Sequence, residues 1–185
     1  MVNYIDYNKL DGIETATKLM GSAFRALGNV YVPGEGGVYS PHSLTPRPEV
    51  FIIGEAPGAQ EEIKRRPFVG PAGRVLRDLM AIAGLHSTYD AHTIGHPLAG
   101  NANCWLTNVI KFRPPGNRKP TPNEIKAARP FLLREWKAVG WPNIVIAVGG
   151  TALEAITGKQ LSILRAAGKC HAYTNRQGEP MFIWP

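Results

Sequence analysis

The sequence predicts an α/β protein, a three-layer α/β/α sandwich around a central, four-stranded, mainly parallel sheet. Short apolar, β-branched runs fall at Val50–Ile53, Cys104–Ile110 and Asn143–Val148, and a fourth begins at Pro180–Trp184. Helical patterns separate them, and strands alternating with helices imply parallel pairing with both sheet faces covered. At 185 residues and 44% hydrophobic composition, the chain fits a single domain, 1–185, with a real core.

Residues Asn8–Leu27 read as an amphipathic helix, with Leu10, Ile13, Leu19, Met20, Phe24 and Leu27 at roughly helical spacing. Asn29–Pro48 is rich in Gly and Pro and reads as a long loop. Val50–Ile53 is a buried strand that stops at a glycine-rich turn. Pro71–Ala83 is a helix, with Val75, Leu76, Leu79 and Ile82 expected to face inward. A loop at His86–Asn103 leads to the second strand, Cys104–Ile110, and a Pro/Arg-rich loop follows at Lys111–Pro120. Thr121-Pro122-Asn123-Glu124 is a capping box with proline at the first helical position. The helix it opens runs to about Val139 and aligns Ile125, Ala128, Leu132, Trp136 and Val139 on one face. After the third strand, Gly149-Gly150 turns into a short helix, Thr151–Ile156. There is no internal repeat, low-complexity tract or domain linker.

The net charge is +7 and the sequence pI about 9.6. Such an excess points to a polyanionic partner, nucleic acid first. Lys64, Arg65, Arg66, Lys111, Arg113, Arg118 and Lys119 cluster beside the two most motif-like segments, as a phosphate-contacting rim would. No apolar run reaches membrane-spanning length. The start, MVNYIDYNKLDG, lacks the basic and apolar regions of a secretion signal. Two cysteines, Cys104 and Cys170, make neither a disulfide framework nor a metal-ligand spacing, so a cytoplasmic location is expected.

The segment Phe51–Gly73, FIIGEAPGAQEEIKRRPFVGPAG, carries the most chemistry. A glycine-rich turn at the C-terminal end of a buried strand is where open α/β folds place a ligand. Here the turn holds a carboxylate, a basic tripeptide follows, and Phe68 lies in a Pro-Phe-Val-Gly segment.

Four segments in order make the chain resemble the uracil-DNA glycosylase superfamily, most of all its family 4 branch, over residues 45–185. They are Gly54-Glu55-Ala56-Pro57-Gly58 with Glu61, then Arg66-Pro67-Phe68-Val69-Gly70 with Ala72-Gly73. Leu106-Thr107-Asn108-Val109-Ile110-Lys111 follows, with Arg113-Pro114-Pro115 and Asn117-Arg118. Last comes Ile146-Ala147-Val148-Gly149-Gly150-Thr151-Ala152, with Gly158, Ser162 and Ile163. The resemblance implies an enzyme that hydrolyses the N-glycosidic bond of a uracil flipped out of DNA, leaving an abasic site. Phe68 matches the family's stacking aromatic and Asn108 its base-reading asparagine. A carboxamide offers an acceptor and donors side by side, which suits uracil's N3–H and O4 and not the edge of cytosine. Glu55, with Glu61 second, is the expected water-positioning carboxylate beside an oxocarbenium-like transition state. Ala56 stands where the superfamily's more familiar motif has Asp, as is usual in family 4. Gly54, Ala56, Pro57 and Gly58 would line the substrate turn. Lys64, Arg65, Arg66, Lys111, Arg113, Asn117 and Arg118 would contact DNA.

Two departures from the family pattern stand out. Family 4 members usually hold a [4Fe-4S] cluster on four cysteines. Here no cysteine precedes residue 104 and Phe112 fills a usual Cys slot, so no iron–sulfur cluster and no other metal is expected. The family's His-Pro-Ser-like motif, whose His stabilises the leaving base, would follow the fourth strand, yet the sequence stops at Ile183-Trp184-Pro185. Such a donor is worth about 3–4 kcal/mol. His96-Pro97 and His171 are misplaced for that role. A shortened C-terminal part, or a second chain or segment supplying the rest, is therefore expected. The leading expectation is a monomeric uracil-DNA glycosylase acting on DNA in base excision repair. The alternatives are a catalytically impaired uracil- or DNA-binding module of the same fold, and a glycosylase for another modified pyrimidine.

Overall fold

The computed structural model describes residues 30–36, 48–85, 103–174 and 180–185. The helix expected at Asn8–Leu27, most of the Gly/Pro-rich loop, and the loop holding His96-Pro97 lie outside these residues. The described strands are β1 (Glu35–Gly36), β2 (Val50–Gly54), β3 (Cys104–Asn108), β4 (Ile144–Ala147), β5 (His171–Thr174) and β6 (Pro180–Trp184). The helices are α1 (Ala59–Lys64), α2 (Pro71–Ile82), α3 (Pro122–Ala138), α4 (Gly150–Thr157) and α5 (Ile163–Ala166).

The strands form one sheet in the order β1-β3-β2-β4-β6-β5. Its centre, β3-β2-β4-β6, is parallel throughout and consists of the four apolar runs seen in the sequence. The sheet is wider than expected by two strands. β1 pairs antiparallel with β3 at one edge, and β5 antiparallel with β6 at the other. Neither carries an apolar run: β1 is two residues long, and β5 alternates half-buried with exposed positions.

Successive β2 side chains enter opposite layers, as the two-residue strand period requires. Phe51 and Ile53 join the larger core with Trp105, Leu132, Trp136 and Leu153, beneath α3 and α4. Phe51 stacks on Trp136 with ring centroids 6.1 Å apart. Val50 and Ile52 join Met80, Cys104 and Leu106 on the other face, beneath α2. Thr121 and Glu124 close the capping box at the start of α3, and Ile125, Leu132 and Trp136 bury as the spacing predicted.

The orientation of α2 departs from expectation. Val75, Leu79 and Ile82 are exposed, while Gly73 and Met80 are buried and Leu76 is partly so. The cause is Gly73. A Cβ there would stand 2.2 Å from the Phe68 carbonyl carbon, so the helix turns this side to the Phe68 loop and Arg77 comes with it. Apolar letters alone do not reveal a face set by a glycine contact.

β2 lies between β3, reached through α2, and β4, reached through α3. The chain thus leaves for opposite sides of one strand, a switch point of the kind at which open α/β sheets place their ligands.

Candidate active site

The candidate site is built on the last residues of β2 and β3. Gly54 pairs in register with Asn108. The ladder continues beyond the strands, with Val109 N donating to Gly54 O at 2.9 Å and Ile110 N to Glu55 O at 3.0 Å. The end of β2 and its turn are therefore fixed against the two residues that follow Asn108. A Cβ built on Gly54 would lie 2.4 Å from Asn108 Oδ1 and 2.7 Å from Phe68 Cζ. Residues 40 positions apart in sequence, Phe68 and Asn108, thus converge on the space above one glycine. Asn108 is buried, and among the described residues its amide makes no hydrogen bond to protein.

Phe68 has a φ of 54°, in the left-handed region that a bulky side chain seldom adopts. Glu61 secures the residues after it. Its carboxylate accepts from Val69 N at 2.9 Å and Gly70 N at 2.6 Å, and from Gly58 N at 3.1 Å. One buried side chain on α1 thus ties the Pro57-Gly58 turn to the Phe68 loop. Sequence reasoning placed Glu61 as a second candidate for holding water. In the structure its two oxygens face backbone amides.

Glu55 is half-buried at the turn. Thr151, buried at the start of α4, donates its hydroxyl to Glu55 Oε2 at 2.5 Å. Thr151 was legible only as part of a strand-end motif. Its partner could not be read, because α4 follows a different strand nearly one hundred residues away. Pro57 is buried, and Ala56 packs against the larger core.

The basic residues separate into groups. Lys64 and Arg65 are exposed at the end of α1. Arg66 pairs with Glu35 at 2.8 Å. Arg113 hydrogen-bonds Asn117 Oδ1 at 2.6 Å and lies 3.4 Å from Glu62. Arg118 is exposed and grips Glu124 through two nitrogens, each at 2.8 Å. The Arg118 hydrogen bond, helped by the Thr121 backbone N–H, holds the Glu124 carboxyl down at about 2.

Lys111 corrects the sequence reading. It is 2% exposed, and its ammonium lies in a buried network with Glu135 and the Thr107 hydroxyl, so it does not reach a phosphate. Trp105 Nε1 donates to the same Glu135 carboxylate at 3.0 Å, and Thr107 Oγ1 at 2.9 Å. Burial pushes the Lys111 pKa down, against the opposing pull of Glu135. Its sequence position beside Arg113 suggested a rim. The strand-end geometry instead turns it under the sheet toward α3.

The two cysteines do not fit a four-thiolate cluster. Cys104 is buried in the smaller core at the start of β3, and Cys170 is exposed just before β5. Phe112 packs against the larger core. Among the described residues, no group of three or more His, Cys, Asp or Glu could hold a metal ion. Nor, among them, is any helix long and apolar enough to cross a membrane.

The model of the uracil DNA glycosylase superfamily matches residues 41–185. The type-4 uracil-DNA glycosylase of Archaeoglobus fulgidus is 35% identical over 126 residues, covering 68% of this chain and 52% of that protein. That of Thermotoga maritima is 35% identical over 120 residues, covering 64% and 55%. That of Sulfurisphaera tokodaii is 33% identical over 159 residues, covering 83% and 61%. The chain therefore spans between half and two thirds of the length of these curated relatives.

Proposed function

Because the chain belongs to the uracil DNA glycosylase superfamily and is most like its type-4 members, we propose that it excises uracil from DNA by hydrolysing the N-glycosidic bond. The observation that carries this reading is the meeting of Asn108 and Phe68 over Gly54. A flipped base needs a flat apolar surface and an edge reader, and the cleft has one of each. In this reading Phe68 stacks on the uracil ring. The Asn108 amide accepts from N3–H and donates to O4, a pairing that cytosine cannot reproduce. The glycine hydrogen lets the Phe68 ring and the Asn108 amide close on the strand end, where any side chain on residue 54 would push them apart.

Glu55 is the carboxylate that orients the attacking water. Thr151 engages one of its oxygens, which fixes the rotamer and leaves Oε1 for the water. A carboxylate at this place also steadies positive charge on the sugar as the bond to the base lengthens. Glu61 acts through the backbone it ties together and is a positioning residue. Gly54, Ala56, Pro57 and Gly58 form the floor and turn against which the nucleotide lies.

Lys64 and Arg65, with Arg66, Arg113, Asn117 and Arg118, form the face that contacts DNA phosphates, one strand-end turn away from the cleft. The cysteine placement and the apolar packing of Phe112 support action without an iron–sulfur cluster. The chain works as a monomeric single domain in the cytoplasm, on DNA that contains uracil.

The test is single-turnover incubation with an oligonucleotide holding one uracil, then alkali to cut at abasic sites. The expected outcome is a cut product that Asn108→Ala reduces by about 10²-fold or more, as loss of one placed donor does elsewhere. Intact DNA at high protein concentration, with salt-dependent binding retained, would replace this reading with that of a binding module.

A further inference from the structure

We propose that Arg77 is a positioning residue for the base platform: its guanidinium holds Phe68 in the left-handed conformation that turns the ring onto Gly54 and Asn108. This rests on the reading of that cleft given above. Phe68, at φ 54°, has a backbone that persists only where its surroundings over-determine it. Arg77 supplies the donors. Its Nε donates to Phe68 O at 2.9 Å and its Nη2 to Pro67 O at 3.1 Å, so one planar fork takes two successive carbonyls. On the amide side, Glu61 accepts from the next two residues, Val69 and Gly70. Gly73, one turn before Arg77 on α2, lets the helix meet the Phe68 backbone directly. The Phe68 loop is thus gripped by a cation at its carbonyls, an anion at its amides and a bare helix turn beside it.

The grip is anchored to the strand that carries Asn108. Glu35 places Oε1 3.2 Å from Arg77 Nη2 and Oε2 2.8 Å from Arg66 Nε. Glu35 sits in β1, in register with Leu106, two residues before Asn108 on β3. The Arg77 and Glu35 side chains are only 12% and 10% exposed, which places this pair within the protein rather than along a phosphate rim. Stacking surface and edge reader are therefore set relative to each other through Arg77, Glu35 and the β1–β3 pairing. Lysine would keep the charge and lose the fork, so the two residues are not interchangeable here.

The test is a double-mutant cycle of Arg77→Met and Phe68→Ala, read as single-turnover kcat/KM on the uracil oligonucleotide, beside the crystal structure of Arg77→Met. The expected loss for Arg77→Met alone is about 10–100-fold, the usual cost of a misplaced group. On the Phe68→Ala background the same change should cost less than about threefold, because coupled residues do not add. In the crystal, Phe68 should leave positive φ and its ring should leave Gly54. Equal losses on both backgrounds, or a Phe68 that keeps its place in Arg77→Met, overturn the inference. A wild-type chain that excises nothing, with Phe68 displaced in the variant, refutes the uracil reading and leaves the clamp standing. Should Met prevent folding, Arg77→Lys is read by the same two measurements.

Discussion

Alanine at Gly54 would put a methyl group into the cleft itself. The new Cβ would stand 2.4 Å from Asn108 Oδ1 and 2.7 Å from Phe68 Cζ, where ordinary contact begins at 3.4 Å. Relief requires the amide to retreat by about 1 Å and the ring by about 0.7 Å, displacements of a size that commonly costs on the order of 10²-fold in rate. Overpacking at this buried strand end also costs about 1–3 kcal/mol of stability. The two effects separate in practice. Thermal unfolding fixes a temperature at which Gly54→Ala is fully folded, and single-turnover uracil excision is then measured there. The expected result is a rate lower by roughly two orders of magnitude in a folded protein, with DNA binding by the basic face little changed. A folded Gly54→Ala chain within about threefold of the wild-type rate would refute the reading that Phe68 and Asn108, as placed over this glycine, hold the base.

Glu61→Ala strips the shared acceptor from three backbone amides. Urea denaturation should show a loss of about 2–4 kcal/mol, in the range for hydrogen bonds to a buried charge. Lys111→Met leaves the Glu135 carboxylate buried without its cation and should cost about 3–5 kcal/mol. The same Lys111→Met change should leave the salt dependence of DNA binding unaltered, whereas Lys64→Ala or Arg65→Ala should each lower that slope by about one. Glu124 is held at about 2 against an ordinary 4.5, so its contribution to stability is complete above 4.5 and is lost as pH falls through 2. Melting temperatures over that window should fall more steeply for the wild type than for Glu124→Gln.

The four parallel strands were legible because each is a short apolar, β-branched run ended by a turn. Residues Thr121 to Glu124 likewise announced α3 through local chemistry, since both partners of a capping box lie within four residues. The cleft was legible as a set of strand-end motifs, Gly54 to Gly58 and Asn108, because parallel sheets gather such ends on one edge. What failed to show depends on contacts made at a distance. Apolar periodicity misjudged α2, whose buried face is chosen by Gly73 against the Phe68 backbone. Lys111 read as one more rim cation because its partner, Glu135, lies on a helix whose inner face otherwise reads apolar. Glu35 sits in a two-residue strand that has no periodicity to detect, so neither its hold on Arg66 and Arg77 nor the Arg77 clamp on Phe68 could be foreseen. Thr151 and Glu55 meet only once β2 and β4 are neighbours.

The central claim is that the space bounded by Gly54, Phe68 and Asn108 receives uracil. A crystal of the wild-type chain saturated with free uracil tests it most directly, with excision measured on the same preparation. The ring is expected to lie on Phe68, with N3–H and O4 toward the Asn108 amide. Active protein whose uracil density lies elsewhere, with this space left to solvent, would contradict it.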